Sequence, residues 1–155
     1  MHNRKSTYII RLIAVLLILC LIMPMSAMAA VADPIQPMAS DYLNTYRAYM
    51  NNVGGGDVQV WFRVLGTQTM DVIGAESITI EYSPNNSDWI SLGELTPSNT
   101  SGLVTYNAQT YTSYVDYSGV VGFYYRAKVS VYAEKNGGSD SREIYTEVIR
   151  ATAQP

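Results

Sequence analysis

The sequence is expected to fold as one all-β domain, a single antiparallel β-sandwich of about seven strands, behind an N-terminal signal peptide. Three observations carry that expectation. Apolar and polar residues alternate with period two through residues 57–65, 78–82 and 122–135, as they do along half-buried strands. Clusters of turn-forming residues separate these runs, at Gly54-Gly55-Gly56, Pro84-Asn85-Asn86-Ser87-Asp88 and Asn136-Gly137-Gly138. After the first thirty residues no sustained helical period competes with this pattern.

The N-terminus differs from the rest in composition. His2, Arg4, Lys5 and Arg11 form a basic start, an apolar stretch runs from Leu12 to Met23, and Pro24 closes it. Ala27-Met28-Ala29 and Ala30-Val31-Ala32 both fit the small-x-small rule, so residues 1–29 read as a secretory signal cleaved after Ala29 or after Ala32. The alternative is an uncleaved anchor, but the apolar stretch is short beside the roughly 20 residues a spanning helix needs. Cys20 follows Leu19 inside that stretch, so it is read as leaving with the signal and not as a lipidation site. Residues 30–40 form a short extended leader in which Pro34 and Pro37 oppose both helix and central strand. The β-domain is expected over 41–152. The protein is thus expected outside the cell or on its surface, with no membrane contact after cleavage.

Composition excludes several chemistries. His2 and Cys20 are the only residues of their kinds, so beyond the signal there is no disulfide, no thiol nucleophile and no imidazole base. Ser-His-Asp and Cys-His catalysis lack their base, and zinc lacks its usual ligands. From Val31 onward seven basic side chains face thirteen acidic ones, a net charge of −6. No basic patch is available for phosphates, so nucleic acid is not an expected partner. Gly54-Gly55-Gly56 has no GK[ST] behind it and is not a phosphate loop.

The strands can be taken in order. Residues 41–51 fit a strand, with Tyr42, Tyr46, Ala48 and Met50 on one face, and fit a helix capped by Ser40. The strand is favoured by the tyrosines and the short length. In 57–65, Val58, Val60, Phe62 and Val64 face one way and Asp57, Gln59, Trp61 and Arg63 the other. Met70 and Ile73 are expected to plug the end of the domain, with Gly74 making a turn. Ile78, Ile80 and Tyr82 mark the next strand. A short one follows from Trp89 to Leu95, with Trp89 as the core anchor of the hairpin. Residues 103–107 and 110–117 read as two strands, Gly122 to Lys135 as the longest, and Arg142 to Ala151 as the last.

Two resemblances follow from these motifs. Gly122-Phe123-Tyr124-Tyr125-Arg126-Ala127-Lys128-Val129-Ser130-Val131 resembles the penultimate strand of a fibronectin type III domain, an immunoglobulin-like sandwich. In such domains a tyrosine opening that strand binds nearby backbone through its hydroxyl, a role the resemblance implies for Tyr125 or Tyr124. Ile78 to Ser83 with Asp88 to Gly93 resembles the middle hairpin of such modules, and the likeness spans about residues 57–151. Trp61 departs from it, because a core tryptophan of that strand should face with Val60 and Phe62. The order of Gly66-Thr67, Met70 to Gly74, Ile80 to Ser83 with Trp89, Val115-Asp116-Tyr117, Gly122 with Tyr124-Tyr125, and Gly137 to Arg142 resembles a family of small secreted proteins of Gram-positive bacteria. That resemblance implies a fold and a compartment and supplies no activity.

Candidate chemistry is sparse. Asp71, Glu76, Asp88, Glu94 and Asp116 could pair as glycosidase carboxylates, yet turn and strand-end roles account for them. Calcium needs only oxygen ligands, and Asn85, Asn86 and Asp88 cluster in one loop with Asp140 in another. No EF-hand spacing is present, and turn geometry explains the Asx residues. No catalytic residue, metal or cofactor is therefore expected. The distinctive feature is tyrosine, thirteen in the whole chain, with Tyr106, Tyr111, Tyr114 and Tyr117 set among Thr, Ser and Asn. A tyrosine offers a flat apolar face and one hydroxyl, which suits sugars and protein partners, and it also simply favours strands. Trp61, Tyr106, Tyr111, Tyr114 and Tyr117 are the candidate binding residues. The expected function is a secreted, non-enzymatic module for an extracellular glycan, a cell-wall component or a protein partner. The alternatives are a structural or protective envelope protein and a carboxylate-based hydrolase.

Overall fold

The computed structural model describes residues 40–154; the signal peptide over 1–29 and the leader as far as residue 39 lie outside the described residues. Seven antiparallel strands are present and no helix occurs among the described residues. They are β1 (Leu43–Gly54), β2 (Asp57–Ser83), β3 (Ile90–Leu95), β4 (Val104–Tyr117), β5 (Tyr124–Lys135), β6 (Gly138–Tyr145) and β7 (Ile149–Arg150). The all-β expectation and the strand count hold, and 41–51 is strand. The two-sheet sandwich is not what the hydrogen bonds draw: all seven strands join one sheet.

The reason lies in β2, which is 27 residues long and continuous where two strands were expected. Along one edge it pairs first with β1 and then with β5; along the other it pairs first with β4 and then with β3. Its buried positions run Val58, Val60, Phe62, Val64 and Met70, then Ile73 and Ala75, then Ile78 and Ile80. The parity of the inward face thus changes twice. Register shifts fall at Leu65/Met70 against β4 and at Ala75/Ser77 against β5. The second shift coincides with the parity change between Ala75 and Ile78, and the first lies ahead of that between Met70 and Ile73; at such irregularities a strand bends. The sheet therefore curls and brings β1 close to β5, β6 and β7.

The core fills the concave side. Phe62, Met70, Ile73, Ile78, Leu103, Val129 and Val131 are fully buried there. Met70 and Ile73 occupy the interior as expected. Trp89 does not: it is half-buried outside the core, with the Arg126 guanidinium 4.2 Å above its ring. Val104–Tyr117 forms one strand where two were expected, bent near Asn107, whose φ is +52°. The expected last strand is instead two, β6 and β7.

Short-range devices fix the connections. Asn136 and Gly137 both have positive φ, +52° and +79°, as a tight hairpin between β5 and β6 requires. Of the two tyrosines considered for a backbone tie, Tyr125 makes it. It is buried, and its hydroxyl accepts from the Val120 amide at 2.8 Å. The C-terminal residues strap the turn between β1 and β2, since Gly55 and Gly56 donate to the carbonyls of Ala153 and Thr152, both at 3.0 Å.

Asp71 joins β2 to the β5–β6 turn. Lys135 Nζ donates to Asp71 Oδ1 at 2.6 Å, and the Asn136 amide donates to Oδ2 at 2.8 Å. The Lys135 hydrogen bond foremost, then the Asn136 amide, holds this carboxyl below its ordinary value of 3.8. A carboxyl more acidic in the folded than in the unfolded chain stabilises the fold above its unfolded pKa. That contribution disappears as pH falls through the folded value. Asp71→Asn should therefore lower the urea midpoint at neutral pH and flatten its decline below about pH 4, which equilibrium unfolding across pH would measure.

Candidate aromatic site on the outer sheet face

The half of the sheet made by β1, the first part of β2, and β4 carries one outer face of fixed register. The hairpin at Gly54–Gly56 sets Tyr49 opposite Trp61, and β4 sets Tyr114 opposite Trp61 on the other side. The three rings form a row across three neighbouring strands. Tyr49 and Trp61 lie parallel, 3° between planes and 6.1 Å between centroids. Trp61 and Tyr114 are 4.8 Å apart at 34°. Tyr49 is 42% exposed and Tyr114 46%, with Trp61 half-buried between them. Trp61 indeed faces away from Val60 and Phe62.

The row is held in place from one side. The Trp61 indole N–H donates to Gln59 Oε1, and Gln59 Nε2 donates to Asp116 Oδ1 at 2.7 Å. Residues two apart on a strand share a face at about 7 Å, so Asn51, Gln59 and Asp116 form the next row across the same three strands. On the other side the next row is Arg47, Arg63 and Thr112. With its indole N–H occupied and its faces flanked by tyrosines, Trp61 is fixed in rotation before any ligand arrives, which lowers the entropy lost on binding.

The five sequence candidates separate by strand parity. Trp61 and Tyr114 belong to the row. Tyr111 and Tyr117 share the inner face with Val115: Tyr111 meets Phe62 edge-on at 6.0 Å and donates its hydroxyl to the Gly102 carbonyl at 2.9 Å. Tyr117 packs against the core 6.0 Å from Tyr125, and burial pushes its hydroxyl above the usual phenol range, with Tyr125 and Tyr82 adding to the shift. These two build the sheet interior. Tyr106 is 66% exposed and lies opposite Val72, away from the row. Tyr49 is the member that sequence reasoning missed. The signal was available, since a strand over 41–51 hairpinned about Gly55 places Tyr49 against Trp61.

The acids and the Asx loop have local duties. Asp71 is held by Lys135, Glu76 accepts from the Ser130 hydroxyl at 2.7 Å, and Asp116 accepts from Gln59. Asn85 Oδ1 accepts from the amides of Ser87 and Asp88 at 3.0 and 2.9 Å, while its Nδ2 donates to Asp88 at 2.7 Å. Such a loop satisfies itself as an Asx turn. Among the described residues, no three of His, Cys, Asp and Glu converge as metal ligands would. No family model matches the chain, and no curated protein matches it.

Proposed function

We propose that the protein is a secreted, non-enzymatic module that binds an extracellular glycan or cell-wall polymer on the outer face of β1, β2 and β4. One observation carries this reading: Tyr49, Trp61 and Tyr114 form an accessible row of rings on a rigid sheet, with the indole N–H already satisfied. Sugar rings present apolar C–H faces with hydroxyl edges. A flat, amphipathic aromatic strip covers the former while its polar neighbours meet the latter. Secretion enters through the basic, apolar and small-residue order of residues 1–32. Kinship with fibronectin type III modules is supported by the Tyr125 hydroxyl bond and opposed by the single connected sheet.

The test is co-sedimentation of the purified protein with a panel of insoluble polysaccharides and cell walls. Saturable pelleting with at least one glycan is expected. No pelleting with any of them would remove the glycan reading. A second reading, a self-associating envelope component, is favoured by β3, an edge strand on which Ile90 is 50% and Leu92 38% exposed. Sedimentation that depends on concentration in the absence of glycan would support it.

A further inference from the structure

We infer that the glycan is anionic, and that Arg47 and Arg63 together hold an oxyanion on it, a carboxylate, sulfate or phosphate borne by a sugar. The inference rests on the glycan reading above and deepens it. The two arginines lie directly opposite each other on β1 and β2, in the row next to the aromatic rings. They line an open groove of about 250 Å³ with Thr45, Tyr46 and Leu65.

The other cations of the described residues are all occupied. Arg126 pairs with Glu81 at 2.6 Å, Lys128 with Glu143 at 3.0 Å, Lys135 with Asp71 at 2.6 Å, and Arg142 with Asp140. Arg150 donates to the Gly122 carbonyl at 3.0 Å and lies over the Tyr124 ring. Among the described residues, Arg47 and Arg63 alone of the seven basic side chains have no hydrogen-bond, ion-pair or ring partner. Like charges directly opposite in a sheet are unfavourable, and no carboxylate of the described residues pairs with either arginine. An oxyanion between two guanidinium forks removes the repulsion and accepts charge-assisted, bidentate hydrogen bonds.

The face is also polarised. Asp116 lies in the row on one side of the rings and the arginines on the other, so a bound polymer has its acidic substituent directed towards Arg47 and Arg63.

The test is affinity electrophoresis or calorimetry of the purified protein with polygalacturonate, dextran sulfate, a phosphomannan, neutral dextran and a single-stranded oligonucleotide. The three anionic polymers differ in their oxyanion, so the tightest identifies its source. At least one should bind tenfold or more tighter than neutral dextran. Arg47→Gln and Arg63→Gln should each weaken that binding about tenfold and reduce the slope of log affinity against log salt by about one. Arg63→Lys keeps the charge and should keep the salt slope while losing part of the affinity. Equal binding of neutral and anionic polymers that is abolished by Tyr49→Ala would overturn the oxyanion site and leave the glycan reading standing. Tighter binding of the oligonucleotide, or anionic binding indifferent to both glutamine variants, would also overturn it. If no sugar polymer binds at all, both fall.

Discussion

Gly74→Ala should cost on the order of 4 kcal/mol, a large share of the roughly 5–15 kcal/mol by which a domain of this size is stable. Gly74 lies where β2 is flanked by β4 and β5 at once, opposite Val104 and Tyr132. A Cβ there would stand 2.1 Å from the Leu103 carbonyl oxygen and 2.7 Å from Val104 Cα. Both are backbone atoms, and the Leu103 oxygen is held by the Ala75 amide at 2.8 Å, so neither can give way. The φ of +154° adds conformational strain for any L-residue. Gly55→Ala is the control. Its φ of +67° lies in the left-handed region that alanine enters at modest cost, and nothing lies within 4 Å of the added carbon, so about 1 kcal/mol is expected. Urea unfolding of both variants compares a crowded glycine with an open one. Similar midpoints would contradict the close approach of β4 at Gly74.

The second large effect is on binding. Tyr49→Ala with Tyr114→Ala should reduce affinity for whichever glycan pellets the protein by a hundredfold or more, taking for each ring the about 1–3 kcal/mol that an aromatic side chain stacked on a nucleobase contributes. The stability cost should stay near 1–2 kcal/mol, because both rings are on the outer face and lose mainly their contacts with Trp61. Tyr111→Ala should show the reverse balance. It would remove a packed ring and the hydroxyl bond to Gly102, lowering stability while leaving affinity nearly unchanged in the folded fraction.

The division between what the sequence reveals and what it hides follows from strand chemistry. Val58, Val60, Phe62 and Val64 alternate without interruption, so that strand and its inward face are legible. The bend beyond them is not. Met70 to Ile73 and Ala75 to Ile78 each break the period of two. A broken period reads as a loop between strands, whereas here one continuous strand runs through both breaks, the second of them at a bulge. Two separate strands at that break imply two layers, where the structure has a single curled sheet. In β4 the difficulty is composition: tyrosines sit on both faces, and only Val115 marks the inner one. That parity would have placed Tyr111 and Tyr117 inside and Tyr114 outside. In 41–51 the apolar face is Tyr42, Tyr46, Ala48 and Met50, which leaves Arg47 and Tyr49 on the other face, and only the hairpin register sets them against Arg63 and Trp61.

The central claim is that Trp61, between its two tyrosines, touches the glycan. Trp89→Phe leaves Trp61 as the single indole of the chain. Titrating this variant with a soluble form of the glycan that pellets the protein should give a saturable change in tryptophan emission. Its midpoint should match the affinity measured by calorimetry, and Tyr49→Ala with Tyr114→Ala should abolish it. Saturable binding by calorimetry with no change in Trp61 emission would contradict the account, because the ligand would then be held elsewhere on the domain.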